Sequence, residues 1–158
     1  MSAAQPAHEP SLKMRQAVAA DAAAVRALTR EAYAKWVPLI GREPKPMQAD
    51  YARAIARHRI DLAFVEGGLA GLIETIEQPS HLLIENVAVA PAFQGRGLGR
   101  RLMAHAERLA AAKHYAEVRL YTNKAFAENV RLYLGLGYRI DREDRLPVGV
   151  AIHMSKRI

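Results

Sequence analysis

One stretch of the chain joins a strand, a tight turn and the start of a helix in a way that suits an anion. Residues 87–102 read VAVAPAFQGRGLGRRL, so three alternate glycines separate an apolar run from an amphipathic one. Glycine lets the backbone turn sharply and lets a ligand approach it closely. The first N–H groups of a helix point outward without partners, beside the positive end of the helix dipole. The stretch therefore predicts a phosphate site, although such glycines can also serve only to pack a helix against a strand.

Two common phosphate-binding loops do not fit this stretch. A Walker loop ends in Gly-Lys-Ser/Thr, whereas Gly99 is followed by two arginines. The dinucleotide fingerprint G-x-G-x-x-G also fails. Counted from Gly95, its last position is Arg100. Counted from Gly97, that position is Leu102. Nucleoside triphosphate hydrolysis and dinucleotide binding are therefore disfavoured.

The stretch resembles the acyl-CoA-binding motif of the GNAT superfamily of N-acetyltransferases. That motif reads Gln/Arg-x-x-Gly-x-Gly/Ala, and it is matched by Gln94, Gly97 and Gly99. The segment LYLGLGY at 132–138 is similar to a second motif of the family, and the resemblance covers the chain from about Leu12 to the C-terminus. It implies acetyl-CoA as the co-substrate and no metal.

The resemblance implies that the turn binds coenzyme A through its backbone. The amides of the turn would hold the diphosphate. The preceding strand would offer backbone groups to the pantetheine arm, which in the family behaves like an added strand at a splay between two parallel strands. The basic side chains would meet further phosphate charge, or would simply form a solvated helix face. The implied cofactor-binding residues are Val87, Ala88, Val89, Gln94, Gly95, Arg96, Gly97, Leu98, Gly99, Arg100, Asn129 and Tyr133.

Tyr133 is the candidate acid that protonates the departing thiolate. A phenol ordinarily has a pKa of about 10 and can deliver a proton to a strong base. GNAT proteins commonly carry a Tyr in this role, whereas on the residues alone a packed aromatic side chain is the simpler interpretation. The family often has an Asn seven residues earlier, where this chain has Phe126. Asn129, four residues before Tyr133, is the candidate replacement.

Glu85 is the candidate general base, which would take a proton from the acceptor ammonium directly or through water. It lies within the apolar run LLIENVAV at 82–89, where burying an unpaired carboxylate is costly. Strand alternation predicts that it shares a face with Val87 and Val89. A solvent-open position or an arginine partner explains it equally well. Glu74 on the preceding strand is the second choice.

The expected acceptor is a primary amine of a small molecule or a protein, which attacks the thioester directly in a ternary complex. The loop between the first two helices would help to form its pocket. The candidate substrate-binding residues are Tyr33, Trp36 and Glu85. The alternative function is a non-catalytic regulatory module that binds acyl-CoA.

Hydrophobic periodicity predicts the elements that must position these residues. Strands are expected at 12–17, 62–66, 69–76, 82–89, 117–121, 138–140 and 150–154. Helices are expected from residue 22 to about 36, across 47–58, from 98 to at least 110, and at 125–134. Residues 37–46 contain three prolines and Gly41, so they are expected to be a loop. Residues 141–149 are expected to be a polar turn.

These elements define the expected fold class, an α/β (α+β) single domain. The strand–helix–strand unit from Leu82 to Tyr121 needs a crossover, so its two strands should be parallel, whereas the hairpins should be antiparallel. We therefore expect a GNAT-like mixed, mostly antiparallel sheet with a central, splayed parallel pair and helices on both faces. Residues 12–158 would form this domain, after a flexible tail at 1–11.

Composition limits the remaining classes. The chain has 158 residues, 51% of them apolar and 25% charged, which is typical of a globular domain. It has no cysteine, which excludes disulfides, thiolate metal sites and cysteine nucleophiles, and favours a reducing compartment. The net charge of +7 favours anionic partners, but no nucleic-acid-binding motif accompanies it. We expect a cytoplasmic protein with no nucleic-acid or membrane partner, and family analogy suggests a homodimer.

Overall fold

The computed structural model describes residues 11–158, which fold around a single seven-stranded sheet. The tail expected at 1–11 lies, except for Ser11, outside the described residues. The strands are β1 (Leu12–Gln16), β2 (Arg59–Val65), β3 (Gly68–Glu77), β4 (Leu82–Val89), β5 (Glu117–Asn123), β6 (Arg139–Leu146) and β7 (Gly149–Arg157). The helices are α1 (Ala22–Tyr33), α2 (Val37–Ile40), α3 (Tyr51–Arg57), α4 (Leu98–Ala112) and α5 (Ala127–Gly135).

The sheet has the strand order β1-β2-β3-β4-β5-β7-β6. The β4–β5 pair is parallel, and every other neighbouring pair is antiparallel. The expected mixed sheet with a central parallel pair is therefore confirmed. This arrangement follows from the connections, because β4 and β5 are joined through α4 while the other neighbours can pair as hairpins or returns.

Hydrophobic side chains fill a layer on each face of the sheet. On one face α4 buries Leu102, Met103 and Ala106 against the strands. On the other face α1 and α3 contribute a second cluster that includes Val25 and Tyr51. The amphipathic stripes of the helices thus face the sheet, as their apolar spacing predicts.

The segment before β2 differs from the expected single helix across 47–58. A 3₁₀ turn at Lys45–Gln48 ends at Ala49, and α3 begins at Tyr51. The break has a local cause, since the Asp50 carboxylate accepts a hydrogen bond from the Arg53 amide at 3.2 Å and caps α3. The loop expected at 37–46 was also partly wrong, because its first four residues form α2.

The polar turn expected at 141–149 was wrong. Strand β6 runs on to Leu146, so the turn to β7 is short. Strand β6 forms the edge of the sheet and is mostly exposed. An edge strand that water covers does not need alternating apolar residues, so its charged sequence gave no strand signal.

Gly71 on β3 sets how closely α4 approaches the sheet. A Cβ atom at this position would lie 3.0 Å from the Ala88 carbonyl oxygen and 3.1 Å from Leu102 Cδ1. A side chain here would force the Ala88 backbone or the α4 side chains to shift by a few tenths of an ångström, whereas glycine leaves them in place. The start of α4 is thereby held against β3 and β4.

We expect Gly71→Val to destabilise the fold by roughly 1–3 kcal/mol, because a side chain there overpacks the α4 contact. Chemical denaturation would measure this change. Gly135→Ala is the control, since a Cβ at Gly135 meets nothing within 4 Å. Equal stability of the two variants would contradict this account of Gly71.

Candidate active site

Strands β4 and β5 pair over a short distance and then separate. Their parallel ladder joins Leu82 with Val118, Leu83 with Arg119 and Ile84 with Leu120, and it ends there. Strand β4 continues to Val89 while bonded to β3 on its other side. The half of β4 from Glu85 onward therefore has a backbone edge that β5 does not cover.

The direction of the backbone groups on this edge follows from the β3 ladder. The Ala90 amide donates to the Ala70 carbonyl at 2.8 Å. Since antiparallel pairs alternate, Ala88 also bonds toward β3, whereas Val87 and Val89 turn their amides and carbonyls toward the gap. The carbonyl of Val89 accepts a hydrogen bond from the Gln94 side chain at 3.0 Å. Ala88 has a backbone committed to the sheet and a side chain that is only 2% exposed.

The glycine turn, residues 94–99, follows β4 and leads into α4. Gly95 and Gly97 adopt φ values of +78° and +77°, which residues other than glycine rarely adopt. Within residues 11–158, no hydrogen bond uses the amides from Gly95 to Arg100, and the Arg101 amide is the first to bond, to the Gly97 carbonyl at 3.2 Å. The turn thus presents a row of unpaired amides at the N-terminal end of α4.

Side chains do not fill the glycine turn. A Cβ atom on Gly95 or Gly97 would meet nothing within 4 Å. Gln94 folds back onto Val89, and the Lys35 ammonium lies 3.2 Å from its side-chain oxygen. The Arg96 guanidinium lies over the Phe93 ring, 5.7 Å from its centroid. These residues fit a diphosphate, which needs several converging N–H donors and open space.

Tyr133 lies on α5 at the edge of a cleft of about 570 Å³ between the splayed strands and the α1–α3 segment. The residue is 8% exposed, and burial raises the pKa of its phenol to about 12. Its hydroxyl has no hydrogen-bond partner among the described residues, unlike that of Tyr33. Asn129, one turn earlier on α5, lines the same cleft.

Glu85 lies in the same cleft, but not on the expected strand face. Thr75 pairs with Ile84 and Glu74 pairs with Asn86, so Glu85 is the extra residue of a β-bulge. The bulge reverses the alternation, since Val87 and Val89 pack in the α4-side core together with Ile84. The expectation that Glu85 shares their face was therefore wrong. Its carboxylate instead accepts a hydrogen bond from the Tyr121 hydroxyl at 3.0 Å.

Comparison with known proteins gives this arrangement a family. The profile of the family described as "Acetyltransferase (GNAT) family" matches residues 23–138, which is most of the chain.

The chain belongs to the GNAT acetyltransferase family.

Solved structures share the fold of this GNAT chain. The PaiA N-acetyltransferase of Thermoplasma acidophilum, solved in complex with coenzyme A, superposes with a TM-score of 0.79 at 18% identity, over 94% of this chain and 99% of that one. The ribosomal-protein-S18-alanine N-acetyltransferase of Escherichia coli gives a TM-score of 0.73 at 21% identity, over 94% of each chain.

A curated relative matches over a shorter region. N-alpha-acetyltransferase 80 of Mus musculus is 38% identical over 73 residues, which is 46% of this chain. The match spans 22% of that protein, about a fifth of its length.

Glu74, the second choice for the general base, also lies in the cleft of this GNAT site. Glu74 lines the cleft with a side chain that is 5% exposed, and it lies 2.7 Å from His58 Nδ1. Burial raises the pKa of Glu74, and this outweighs the lowering effect of His58. No local pattern predicts this pair, because the two residues are 16 positions apart and meet only through tertiary packing.

A buried polar network fixes the wall of the cleft behind Glu85. The Tyr33 hydroxyl donates to Asn86 Oδ1 at 2.9 Å, and the Asn86 amide donates to the Tyr51 hydroxyl at 3.3 Å. Burial raises the pKa of Tyr33 well above its usual range. Tyr33 therefore lines the cleft with its hydroxyl already engaged.

Trp36 does not reach the cleft. It is 8% exposed and stacks on Phe126 with ring centroids 4.6 Å apart. Phe126 itself lines the cleft. The pair thus places Phe126, rather than Trp36, at the surface where the acceptor was expected.

Two other findings concern the described part of the chain. Among residues 11–158, no cluster of three or more histidine, aspartate or glutamate side chains is arranged to hold a metal ion. No helix in that range is both long and apolar enough to cross a membrane.

Proposed function

We propose that this GNAT acetyltransferase transfers the acetyl group of acetyl-CoA to a primary amine of a small molecule or a protein. The observation that carries the proposal is the row of unpaired amides from Gly95 to Arg100, beside the uncovered edge of β4. A thioester carrier with a diphosphate and an amide-containing arm matches both features. The coenzyme A seen with the Thermoplasma relative supports this choice of carrier.

The proposed binding mode uses backbone groups at two places. The amides of the glycine turn would hold the diphosphate, aided by the dipole of the 15-residue helix α4. The free amides of Val87 and Val89 would bond the pantetheine arm, as an added strand does. Arg96 and Arg100 would meet the remaining phosphate charge, whereas Leu98 is buried and would contribute only its amide.

Acetyl-CoA supplies an activated acetyl group, so the chain needs only to orient the reactants and to move two protons. Glu85 would accept a proton from the acceptor ammonium, which leaves the amine able to form the new C–N bond. Tyr133 would donate its hydroxyl proton to the sulfur as the C–S bond breaks. The second proton, which the nitrogen loses as the amide forms, would restore the Tyr133 hydroxyl. Burial suits this role, since a phenol with a pKa of about 12 stays protonated at neutral pH.

The first prediction concerns Gly97. Acetyl-CoA at micromolar concentration should raise the melting temperature of the protein, and Gly97→Ala should abolish that rise, because a side chain at a φ of +77° distorts the turn. Thermal unfolding with and without acetyl-CoA measures both effects. Gly67→Ala is the matched control, since Gly67 has a φ of +81° and equally open space. No rise in the unmodified protein would refute acyl-CoA binding.

The second prediction concerns Tyr133. We expect Tyr133→Phe to lower kcat by roughly 100-fold, the size of a general-acid contribution, with little change in acetyl-CoA affinity. Release of free thiol in the presence of an amine acceptor measures kcat. Tyr138→Phe is the control, because the Tyr138 hydroxyl is buried without a partner and lies outside the cleft lining. Unchanged turnover in Tyr133→Phe would reject the acid role.

The third prediction concerns Glu85. Glu85→Gln should lose activity near pH 7 and recover part of it at higher pH, because the amine then deprotonates without a base. The pH dependence of kcat/KM measures this, with Glu31→Gln on the exposed surface of α1 as the control. Full activity of Glu85→Gln at pH 7 would end the assignment. Acetyl-CoA binding without thiol release for any amine would instead favour a non-catalytic regulatory module.

A further inference from the structure

The outer wall of the cleft carries four basic side chains. They are Arg42, Lys45, Arg53 and Arg57. None of them forms an ion pair with a carboxylate among residues 11–158. Asp50 lies on the same wall, where it caps the α3 backbone. The wall therefore keeps an excess of positive charge.

Arg42 lines the cleft and has no ion-pair partner among the described residues. One of its terminal nitrogens donates to the Val148 carbonyl at 3.3 Å, which joins the segment after α2 to the β6–β7 turn. Its Nε is buried and has no hydrogen-bond partner. The neighbouring Glu43 is engaged by Arg30 at 2.7 Å instead. The guanidinium is thus positioned by the fold while its charge stays available.

Arg53 and Arg57 extend this basic wall along α3. They are four residues apart on one helix, so they lie on the same side of it. Tyr51, Ala54 and His58 line the cleft beside them. Both arginines are exposed, so an acceptor entering the cleft would pass them.

The same cleft also contains negative charge. Glu85 and Glu74 both line it, and Glu85 lies where β4 separates from β5. Glu85 is the proposed base at which the acceptor amine reacts. An acceptor that pairs with both sets of charges must place a cationic amine at the carboxylates and a negative group toward the basic side chains.

We infer that the acceptor is a primary amine that carries anionic groups, carboxylate or phosphate, on the same molecule. The inference rests on the proposed acetyl transfer. Partly exposed ion pairs of this kind mainly set association rate and specificity, and they weaken as salt is added. The acceptor preference should therefore depend on ionic strength. An acidic peptide with a free N-terminus and a small phosphorylated amine share this chemistry.

Binding of matched amines tests the inference apart from turnover. The first probe is a six-residue peptide with a free N-terminus, three acidic side chains and a C-terminal dye. The second is the same peptide with each Asp replaced by Asn and each Glu by Gln. Fluorescence anisotropy with coenzyme A present should show that the acidic peptide binds at least tenfold more tightly than the neutral one. This difference in affinity should shrink as the salt concentration rises from about 50 to about 300 mM, because salt screens exposed charges. Phosphoethanolamine and ethanolamine form the small-molecule pair, compared as competitors of the bound peptide and as substrates in thiol release.

The variant that tests the wall is Arg53→Glu/Arg57→Glu. It should lower the ratio of the affinities for the acidic and neutral peptides at least tenfold. The rise in melting temperature with acetyl-CoA should stay as in the unmodified protein. Lys13→Glu/Arg108→Glu is the matched control, since both residues are exposed, neither lines the cleft, and the change in net charge is the same.

Equal affinities for the acidic and neutral peptides, with no preference for phosphoethanolamine, would overturn the inference, as would equal effects of the two double variants. Preference for phosphoethanolamine alone would support it and identify a small molecule as the source of the anion. Loss of the acetyl-CoA melting shift in the unmodified protein would instead contradict the proposed function.

Discussion

The short contact between β4 and β5 is the constraint on which the rest of the structure depends. Three residue pairs hold these parallel strands together before they diverge. Had the ladder continued, it would have consumed the backbone groups of Val87 and Val89 and closed the cleft. The divergence leaves the amides of Val87 and Val89 uncovered at the centre of the sheet, while their carbonyls accept hydrogen bonds from the Tyr33 and Gln94 side chains. Unpaired amides are costly there unless a ligand or water bonds them. The fold thus builds a binding edge in its own interior.

The β-bulge at Glu85 and the helix α4 make this edge usable from opposite sides. The bulge turns Glu85 toward the cleft while Val87 and Val89 remain packed in the α4-side core. Gly71 lets α4 lie directly on β3, so the glycine turn at its start is held at the end of β4. The proposed acid and base therefore reach one cleft from different elements, Tyr133 from α5 and Glu85 from β4. Neither position depends on a flexible loop.

The sequence predicts the parts of this site that depend on local patterns. Glycine spacing in the turn and the apolar runs around it are local, and they place the turn between β4 and α4 correctly. The face of Glu85 is not local, since it depends on how β4 pairs with β3 across the bulge. The prediction that Trp36 lines the acceptor pocket is wrong for a similar reason, because its stacking partner Phe126 lies 90 positions away in the chain. The proximity of His58 and Glu74 also arises only from tertiary packing.

The net charge of +7 acquires a different meaning once it is placed on the structure. As a bulk property it favours any anionic partner, nucleic acid included. In the fold, Arg96 and Arg100 stand at the glycine turn, while Arg42, Arg53 and Arg57 stand along the outer wall of the cleft. The second group lines the cleft that also holds Glu85 and Glu74, and the first group does not. A uniform basic surface would attract a polyanion along its length, whereas this division suits two separate anionic molecules that meet at Glu85, one through its phosphates and one beyond its amine. The same cations that would bind coenzyme A are then not free to select the acceptor, and selection falls to the wall formed by α3 and the segment before it.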